Sequence, residues 1–427
     1  MPAQKVVVIG AGVIGASVAR ALALTGYGVT VVDRLPAAGY GSTSYSSAIV
    51  RPFYSHVEAC AIAHEARYRW LDWPGFLGTG VEDGFAQYTE SGGLILFAAG
   101  QEDDFAGNMR ALEEIGVAYS VLDAAGVEAL YPGISRDRFG PAVSDNDEMF
   151  GQPTDGALGG GIHIPAAGYV SDPQLAARNL ANAAQAAGAV FRFNTAVTAI
   201  SRTAGRVTGV TLSDGELEAD IVINVGGPNS SLVNDLAGVT LPISTRASRH
   251  EVAYVPAPPG YIEGGNGFLA DVDSGFYMRP DQADVIVGTT DPACDDADIV
   301  DPDDYNRSLT DHWTRQVFRA AQRFPALAIT GQARGTVGLY DVSDDWIPIY
   351  DKTDLAGYFV AIGTSGNQFK NGPIAGDIMR AIIDVEMGGG DHDRTPASIH
   401  LPNVDREIDL SFYSRLRTVQ ATASVLA

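Results

Sequence analysis

The first thirty-three residues constrain the fold more than any other stretch. KVVVI (Lys5–Ile9) is a short apolar run, GAGVIG (residues 10–15) is glycine-rich, Ala16–Thr25 suits a helix, and GVTVVD (Gly28–Asp33) is a second apolar run ending on an acid. Strand, glycine turn, helix and second strand make a βαβ unit, and G-x-G-x-x-G at its first turn is the dinucleotide-binding pattern. Gly10 and Gly12 permit a tight turn and a close approach of backbone to a pyrophosphate. Gly15 lets helix and sheet pack, and Asp33 can accept from a ribose hydroxyl. Val13, Ile14 and Arg34 are read as parts of the same cradle.

NAD and FAD share this pattern, so a second observation has to choose. DIVINVGGP (residues 220–228) is an apolar run entering two glycines, Gly226 and Gly227, some two hundred residues further on. Near the C-terminus a strand expected at Tyr358–Gly363 opens into GTSGNQFK, residues 363–370. Such distant returns to a glycine loop suit a flavin buried along its whole length, and the reading is FAD.

The remaining sequence bounds the function by exclusion. At 427 residues the chain exceeds one usual core, so two domains are expected. With 28 Lys and Arg against 52 Asp and Glu, the net charge is −24, which repels nucleic acid and anionic membranes. Cys60 and Cys294 are too few for a zinc ribbon or an iron–sulfur cluster and suit a reducing compartment. The seven histidines show no metal-ligand spacing, and the acidic DPACDDADIVDPDD (residues 291–304) fails calcium-loop spacing, so it reads as a solvated loop. No apolar stretch is long enough to span a membrane and the N-terminus lacks signal-peptide features, so the expectation is a cytoplasmic protein.

Helical spacing covers residues 57–73, and Asp172, Pro173 and Gly188 mark the cap, first position and stop of another helix. Strands are expected at 189–193, 196–201, 206–212 and 221–225, and a final helix at Pro373–Ile383. Residues 240–340 alternate short strands with turn residues and suggest an antiparallel sheet. The expected fold is α/β: a Rossmann-like FAD-binding domain of the GR2 type from segments 1–85, 146–235 and 336–427. An inserted antiparallel α+β substrate domain is expected from 86–145 and 236–335.

Several segments together resemble the D-amino-acid oxidase superfamily, and most its branch of sarcosine oxidase, glycine oxidase and dimethylglycine dehydrogenase. They are GAGVIG with Asp33-Arg34, GSTSYSSAIVR (residues 41–51), GYVSDP (168–173), INVGGP (223–228), GTVGLY (335–340) and GTSGNQFK. SSAIVRPFYS is similar to sarcosine oxidase β-subunits. The resemblance implies further FAD contacts at Gly41, Ser42, Thr43, Ser46, Ser47, Val197, Gly363, Gly366, Asn367, Gln368, Phe369 and Lys370. It also implies that Arg51 and Lys370 clamp a substrate carboxylate beside the flavin; Tyr54 and His56 lie shortly after Arg51 and are expected to face the same cavity. A planar guanidinium fork and a point charge suit a carboxylate. Without the family, Lys370 would read as a loop lysine in water and Arg51 as a surface ion-pair partner.

Tyr277 and Tyr340 match family positions lining the substrate cavity, where they close the site or bind substrate; the alternative is two packed, satisfied phenols. Three departures bear on chemistry. Gly338 stands where monomeric sarcosine oxidases carry the cysteine that binds flavin covalently, which implies non-covalent FAD. Ile286 stands where they carry an oxygen-activating lysine, so the acceptor is either O2, as in glycine oxidases that lack that lysine, or another redox carrier. Thr290 replaces a histidine near the substrate and leaves the amine open.

The expected reaction is FAD-dependent oxidation of the C–N bond of an amino acid or an N-methyl or other secondary amino acid. Hydride passes to the flavin and the imine hydrolyses. One alternative is a 2-hydroxy-acid dehydrogenase, which needs a base and would be favoured by a histidine in the cavity. The other is a flavin-binding subunit or assembly factor with little turnover, in a hetero- or homo-oligomer.

Overall fold

Lys5–Ile9 is the strand around which the first sheet is built. It pairs in parallel with Gly28–Val32 on one side and Ile221–Asn224 on the other. The sheet runs 190–192, 28–32, 5–9, 221–224, 358–362, 349–352, and only the last pair is antiparallel. The structure, a computed structural model, describes residues 3–80 and 82–420.

Alternation in the central strand explains the layering. Val6 and Val8 face the core that holds helices Val13–Leu24, Pro173–Ala186 and Gly372–Met387. Val7 and Ile9 face the other way, onto the 197–218 meander and the Ser230–Ala237 helix. Covered on both sides, Ile221–Asn224 and Tyr358–Ile362 are buried at every position, as continuous apolar runs in a parallel sheet require.

The local signals act as the sequence leads one to expect, with small shifts. Asp172 caps its helix by accepting from Leu175 N at 2.8 Å, and Pro173 occupies the first turn. The first helix begins at Val13 rather than Ala16, because Gly12 already serves as N-cap. The helix expected over 57–73 is Val57–Leu71, followed by Trp73–Leu77, with Asp72 capping the break.

A nine-stranded sheet forms the second layer, in the order 335–343, 245–256, 284–289, 276–281, 268–271, 93–98, 154–164, 120–123, with 137–138 also on 154–164. All its pairs are antiparallel except 268–271 with 93–98. Helix Asp311–Arg323 covers it, burying Trp313, Val317 and Ala320 against Val255, Met278 and Val285. Thr154–Ile164 and Gly335–Ser343 belong to this sheet, although the sequence places both segments with the nucleotide fold. Their alternating composition suits either layer, and long-range pairing decides.

Candidate active site

A cavity of about 630 Å³ runs between the glycine turn of the first sheet and the inner face of the second. At one end it is walled largely by backbone. Gly10 has φ +114°, and a Cβ there would lie 2.3 Å from the Val225 carbonyl oxygen. A Cβ at Gly15 would lie 2.0 Å from the Gly10 oxygen, so the third glycine seats the helix on the loop. Gly12 faces the cavity, with Thr43 Oγ1 nearby, and that hydroxyl accepts from Val13 N at 3.1 Å.

Asp33 accepts from Ala11 N at 2.7 Å and Leu35 N at 2.8 Å, so the acid braces the glycine loop; burial raises its carboxyl above the usual range. Two backbone bonds leave a carboxylate further acceptor capacity toward the cavity that it lines. Gly226 and Gly227 approach the same end; Asn224 Oδ1 accepts from Gly226 N at 3.0 Å.

The other end is built from side chains. Lys370 is buried, 3% exposed, and its Nζ donates to Tyr54 Oη at 2.8 Å and to the Asn367 carbonyl. The Arg51 guanidinium, also buried, donates to the Phe53 carbonyl. Arg51 Cζ and Lys370 Nζ lie 4.8 and 5.3 Å from the centre of the same Tyr54 ring. Among the described residues no carboxylate ion-pairs with Lys370. Burial first, then the Arg51 charge, hold its ammonium well below the usual lysine range. The backbone that carries it is fixed from behind, where Trp70 Nε1 donates to the Lys370 carbonyl at 2.8 Å and stacks on Phe369.

Three tyrosine rings at the cavity are each seated on a glycine. A Cβ would come within 2.4 Å of the Tyr277 ring at Gly288 and of the Tyr340 ring at Gly366, and within 2.6 Å of Tyr45 at Gly338. Tyr277 Oη shares a 2.8 Å hydrogen bond with Ser47 Oγ, and Tyr340 lines the same cavity. Arg279, fully buried, holds Ser47 in place by donating to its carbonyl at 2.6 Å. Asp341 Oδ2 accepts from Gly363 N at 2.6 Å and Oδ1 from Ser230 Oγ at 3.0 Å, tying the two sheets together beneath the site.

Most of the residues singled out from the sequence line this one cavity. They are Gly10, Gly12, Val13, Ile14, Asp33, Arg34, Gly41, Ser42, Thr43, Ser46, Ser47, Arg51, Val197, Gly226, Gly227, Tyr277, Tyr340, Gly366, Asn367, Gln368, Phe369 and Lys370. Gly15, Tyr54 and Gly363 stand one layer behind. His56 is the N-cap residue of Val57–Leu71 and packs on Phe412, 5.4 Å between ring centres. Ile286 and Thr290 are buried outside the lining, and Ile286 is cross-strand from Arg279. No group of His, Cys, Asp and Glu among the described residues could hold a metal ion.

Residues 5–382 match the DAO family, described as FAD dependent oxidoreductase. The chain belongs to this family. A D-amino acid dehydrogenase of Methylobacterium nodulans is 28% identical over 289 residues, 56% of this chain and 64% of that protein. The sarcosine oxidase subunit beta of Rhodobacter capsulatus is 26% identical over 191 residues, 44% of this chain and 43% of its own. The chain thus spans less than two thirds of the length of these relatives. Among solved structures, L-proline dehydrogenase from P. horikoshii superposes with a TM-score of 0.75 at 20% identity, over 97% of this chain and 98% of that one, a likeness of fold.

As a DAO-family oxidoreductase the protein uses FAD, and the cradle fits that cofactor, since Gly10, Gly12, Gly226 and Gly227 line the cavity with backbone and leave it free of side chains there. Sequence reasoning missed the rim. Pro302, Asp303, Tyr305 and Arg307 line the cavity at the Arg34 end, where Arg34 pairs with Asp303 at 2.6 Å. The acidic stretch is therefore partly structural: Asp295 pairs with Arg319 and Asp298 with Arg249. Only the spacing of its acids was visible, and spacing does not reveal partners that lie far along the chain. No helix among the described residues is long and apolar enough to cross a membrane.

Proposed function

We propose that this DAO-family protein oxidises the C–N bond of an amino acid, or of an N-methyl or other secondary amino acid, to an imine that hydrolyses. The observation that carries the reading is the pair of buried cations, Arg51 and Lys370, around Tyr54, at one end of a cavity whose other end is a dinucleotide cradle. FAD held by Gly10, Gly12, Asp33, Gly226 and Gly227 would supply the hydride acceptor.

The chain's own part is positional. A carboxylate entering beside Lys370 supplies the anion this buried ammonium lacks, and its arrival favours the charged form of the lysine against burial. Arg51 gives the planar fork that fixes the carboxylate's orientation. Holding a substrate in one geometry is worth up to about 7–11 kcal/mol of the barrier. The Tyr277 and Tyr340 hydroxyls, kept neutral by burial, offer hydrogen bonds to the amino group while Phe268 and Ile49 exclude water.

No histidine is among the described residues that line the cavity, and its two acids, Asp33 and Asp303, lie at the Arg34 end. A hydroxy acid would need a base beside its hydroxyl, whereas an amine carries its own lone pair once deprotonated. The relatives named for D-amino acids, sarcosine and L-proline also act on amines. Gly338 is covered by Tyr45, so FAD held without a covalent bond at this position belongs to the same proposal, as does an acceptor that is either O2 or another carrier. A cytoplasmic enzyme, alone or with partner subunits, completes it.

The test is anaerobic mixing of the FAD-loaded protein with N-methyl, cyclic, D- and L-amino acids and their hydroxy analogues. Flavin absorption is followed at about 450 nm, where the cofactor itself absorbs. Bleaching by an amino acid and not by its hydroxy analogue is the expected result. Bleaching by the hydroxy acid alone transfers the protein to the alcohol-oxidising class. No bleaching by any of them favours a subunit with little turnover of its own.

A further inference from the structure

Behind the two tyrosines lies a group of titratable side chains that the clamp does not use. His250, in strand Thr245–Pro256, stacks on Tyr340 with ring centres 3.9 Å apart and planes 22° from parallel. Its Nδ1 is 3.6 Å from Asp291 Oδ1, and its Nε2 shares a 3.1 Å hydrogen bond with Ser248 Oγ. Asp291 sits just beyond strand Asp284–Thr289, whose Gly288 seats Tyr277. Its second oxygen, Oδ2, is buried without a hydrogen-bond partner among the described residues.

The order of contacts is therefore continuous. Ser47 in the cavity wall bonds Tyr277, Tyr277 and Tyr340 line that wall together and each influences the other's titration, Tyr340 rests on His250, and His250 neighbours Asp291. The charges around the pair come from three directions. Arg249, Asp298 and His312 face His250, while Asp295 and His312 face Asp291. Burial, then His312, hold the His250 imidazole down to about 3, so it is neutral at working pH. Burial, then Asp295, push the Asp291 carboxyl up to about 7. Burial raises both phenols above their ordinary range, and the Asp291 charge adds to the rise as a lesser cause.

We propose that Asp291 and His250 are positioning residues that couple the Tyr277–Tyr340 pair to pH. The reading rests on amine oxidation at the cavity. The neutral imidazole fixes the Tyr340 ring. The Asp291 carboxylate, when ionised, makes the wall formed by the two neutral hydroxyls attractive to a substrate ammonium; when protonated, it removes that field. Neither residue touches the cavity, so each acts through the tyrosines.

The test compares the FAD-loaded wild type with Asp291→Asn, Asp291→Glu and His250→Gln. Asp291 has φ +53°, a conformation that asparagine adopts as readily as aspartate, so Asp291→Asn keeps the backbone. In protein labelled with 13C-histidine, the His250 ring signals, assigned by their loss in His250→Gln, should move with one inflection near pH 7. That inflection should vanish in Asp291→Asn and persist in Asp291→Glu. Anaerobic flavin reduction by an active amino acid should rise through the same inflection in the wild type. In Asp291→Asn the profile should lose it, with the rate at pH 8 falling about tenfold, below the usual span for a direct acid or base. A wild type without the His250 inflection, or an Asp291→Asn whose reduction rate follows the wild-type pH profile, overturns the proposal. If no amino acid reduces the wild type, amine oxidation fails instead, and the histidine signals still report whether the pair is coupled.

Discussion

The two ends of the cavity are made of different material. The dinucleotide end is backbone: Gly10, Gly12, Gly226 and Gly227 bring the chain close, and side chains such as Asp33 and Thr43 mostly hold that backbone. The opposite end is side chain: two cations, three seated tyrosines and a set of buried polar groups that hold one another. A backbone site is encoded over a few consecutive residues, whereas a side-chain site is assembled from strands hundreds of residues apart. Damage should differ accordingly, in stability at the first end and in recognition at the second.

The largest expected effect is at Gly10. In Gly10→Ala the new Cβ meets the Val225 carbonyl at 2.3 Å and must hold φ +114°, so backbone has to move. Overpacking alone costs roughly 1–3 kcal/mol, and the strained backbone adds to it. Loss of bound FAD together with a lower Tm is expected. Gly12→Ala sharpens the contrast, because its Cβ meets only Thr43 Oγ1, at 3.2 Å, a side chain that can turn. It should lose FAD affinity with little change in Tm. Equal melting curves for the two variants would break the comparison.

At the side-chain end, Lys370→Met should behave in the opposite sense. It removes a buried ammonium that no carboxylate pairs with among the described residues, so Tm should hold or rise. Affinity for a carboxylate-bearing amine should fall by roughly 3 kcal/mol, about a hundredfold, the usual loss when one partner of a buried charge pair goes. Stopped-flow reduction at varied substrate gives both the dissociation constant and the limiting rate. A variant that binds substrate as the wild type does would show that the cation has another purpose.

The same contrast explains what was legible in the sequence. GAGVIG, Asp33 and the Asp172–Pro173 cap are local signals, and each element formed within a few residues of its expected bounds. Arg51 and Lys370 were found only because the chain resembles a family; neither periodicity nor composition says that a loop lysine is buried against Tyr54. Nothing in the sequence distinguished Asp291 or His250 from surface residues, since their meaning depends on Tyr340 of the edge strand 335–343 stacking on His250 of its neighbour, 245–256. The seating glycines Gly288 and Gly338 carry a usable hint: an isolated glycine in a strand often marks a site where something large comes close.

Helix Val57–Leu71, which fixes Lys370 through Trp70, contains a third test. Burial, then Arg67, push the His64 imidazole down to about 4, and its Nδ1 is buried without a partner among the described residues. The folded state therefore holds this ring neutral while the unfolded chain takes up a proton below about pH 6.5. Its contribution to stability is complete above that pH and is lost as pH falls toward 4, on the order of 2–3 kcal/mol. Buried Asp341, raised to about 7, has the opposite slope, so the informative quantity is a difference. The wild-type Tm minus that of His64→Gln should fall between pH 6.5 and 4. A constant difference would mean that the folded protein admits the proton.

The smallest effect should be at the rim of the backbone end. Arg34 and Asp303 pair at 2.6 Å, but both side chains are about half exposed, at 48% and 50%. Exposed pairs contribute only about 0.2–1 kcal/mol, so Asp303→Ala should raise the FAD dissociation constant about two- to fourfold. Screening at roughly 0.5 M salt should erase the difference, because the charges face water. Fluorescence titration of the FAD-free protein at low and high salt measures both. A loss above tenfold that survives salt would mean that residues 302–307 hold the nucleotide by direct contact, and the dinucleotide end would then depend on side chains as heavily as the clamp does.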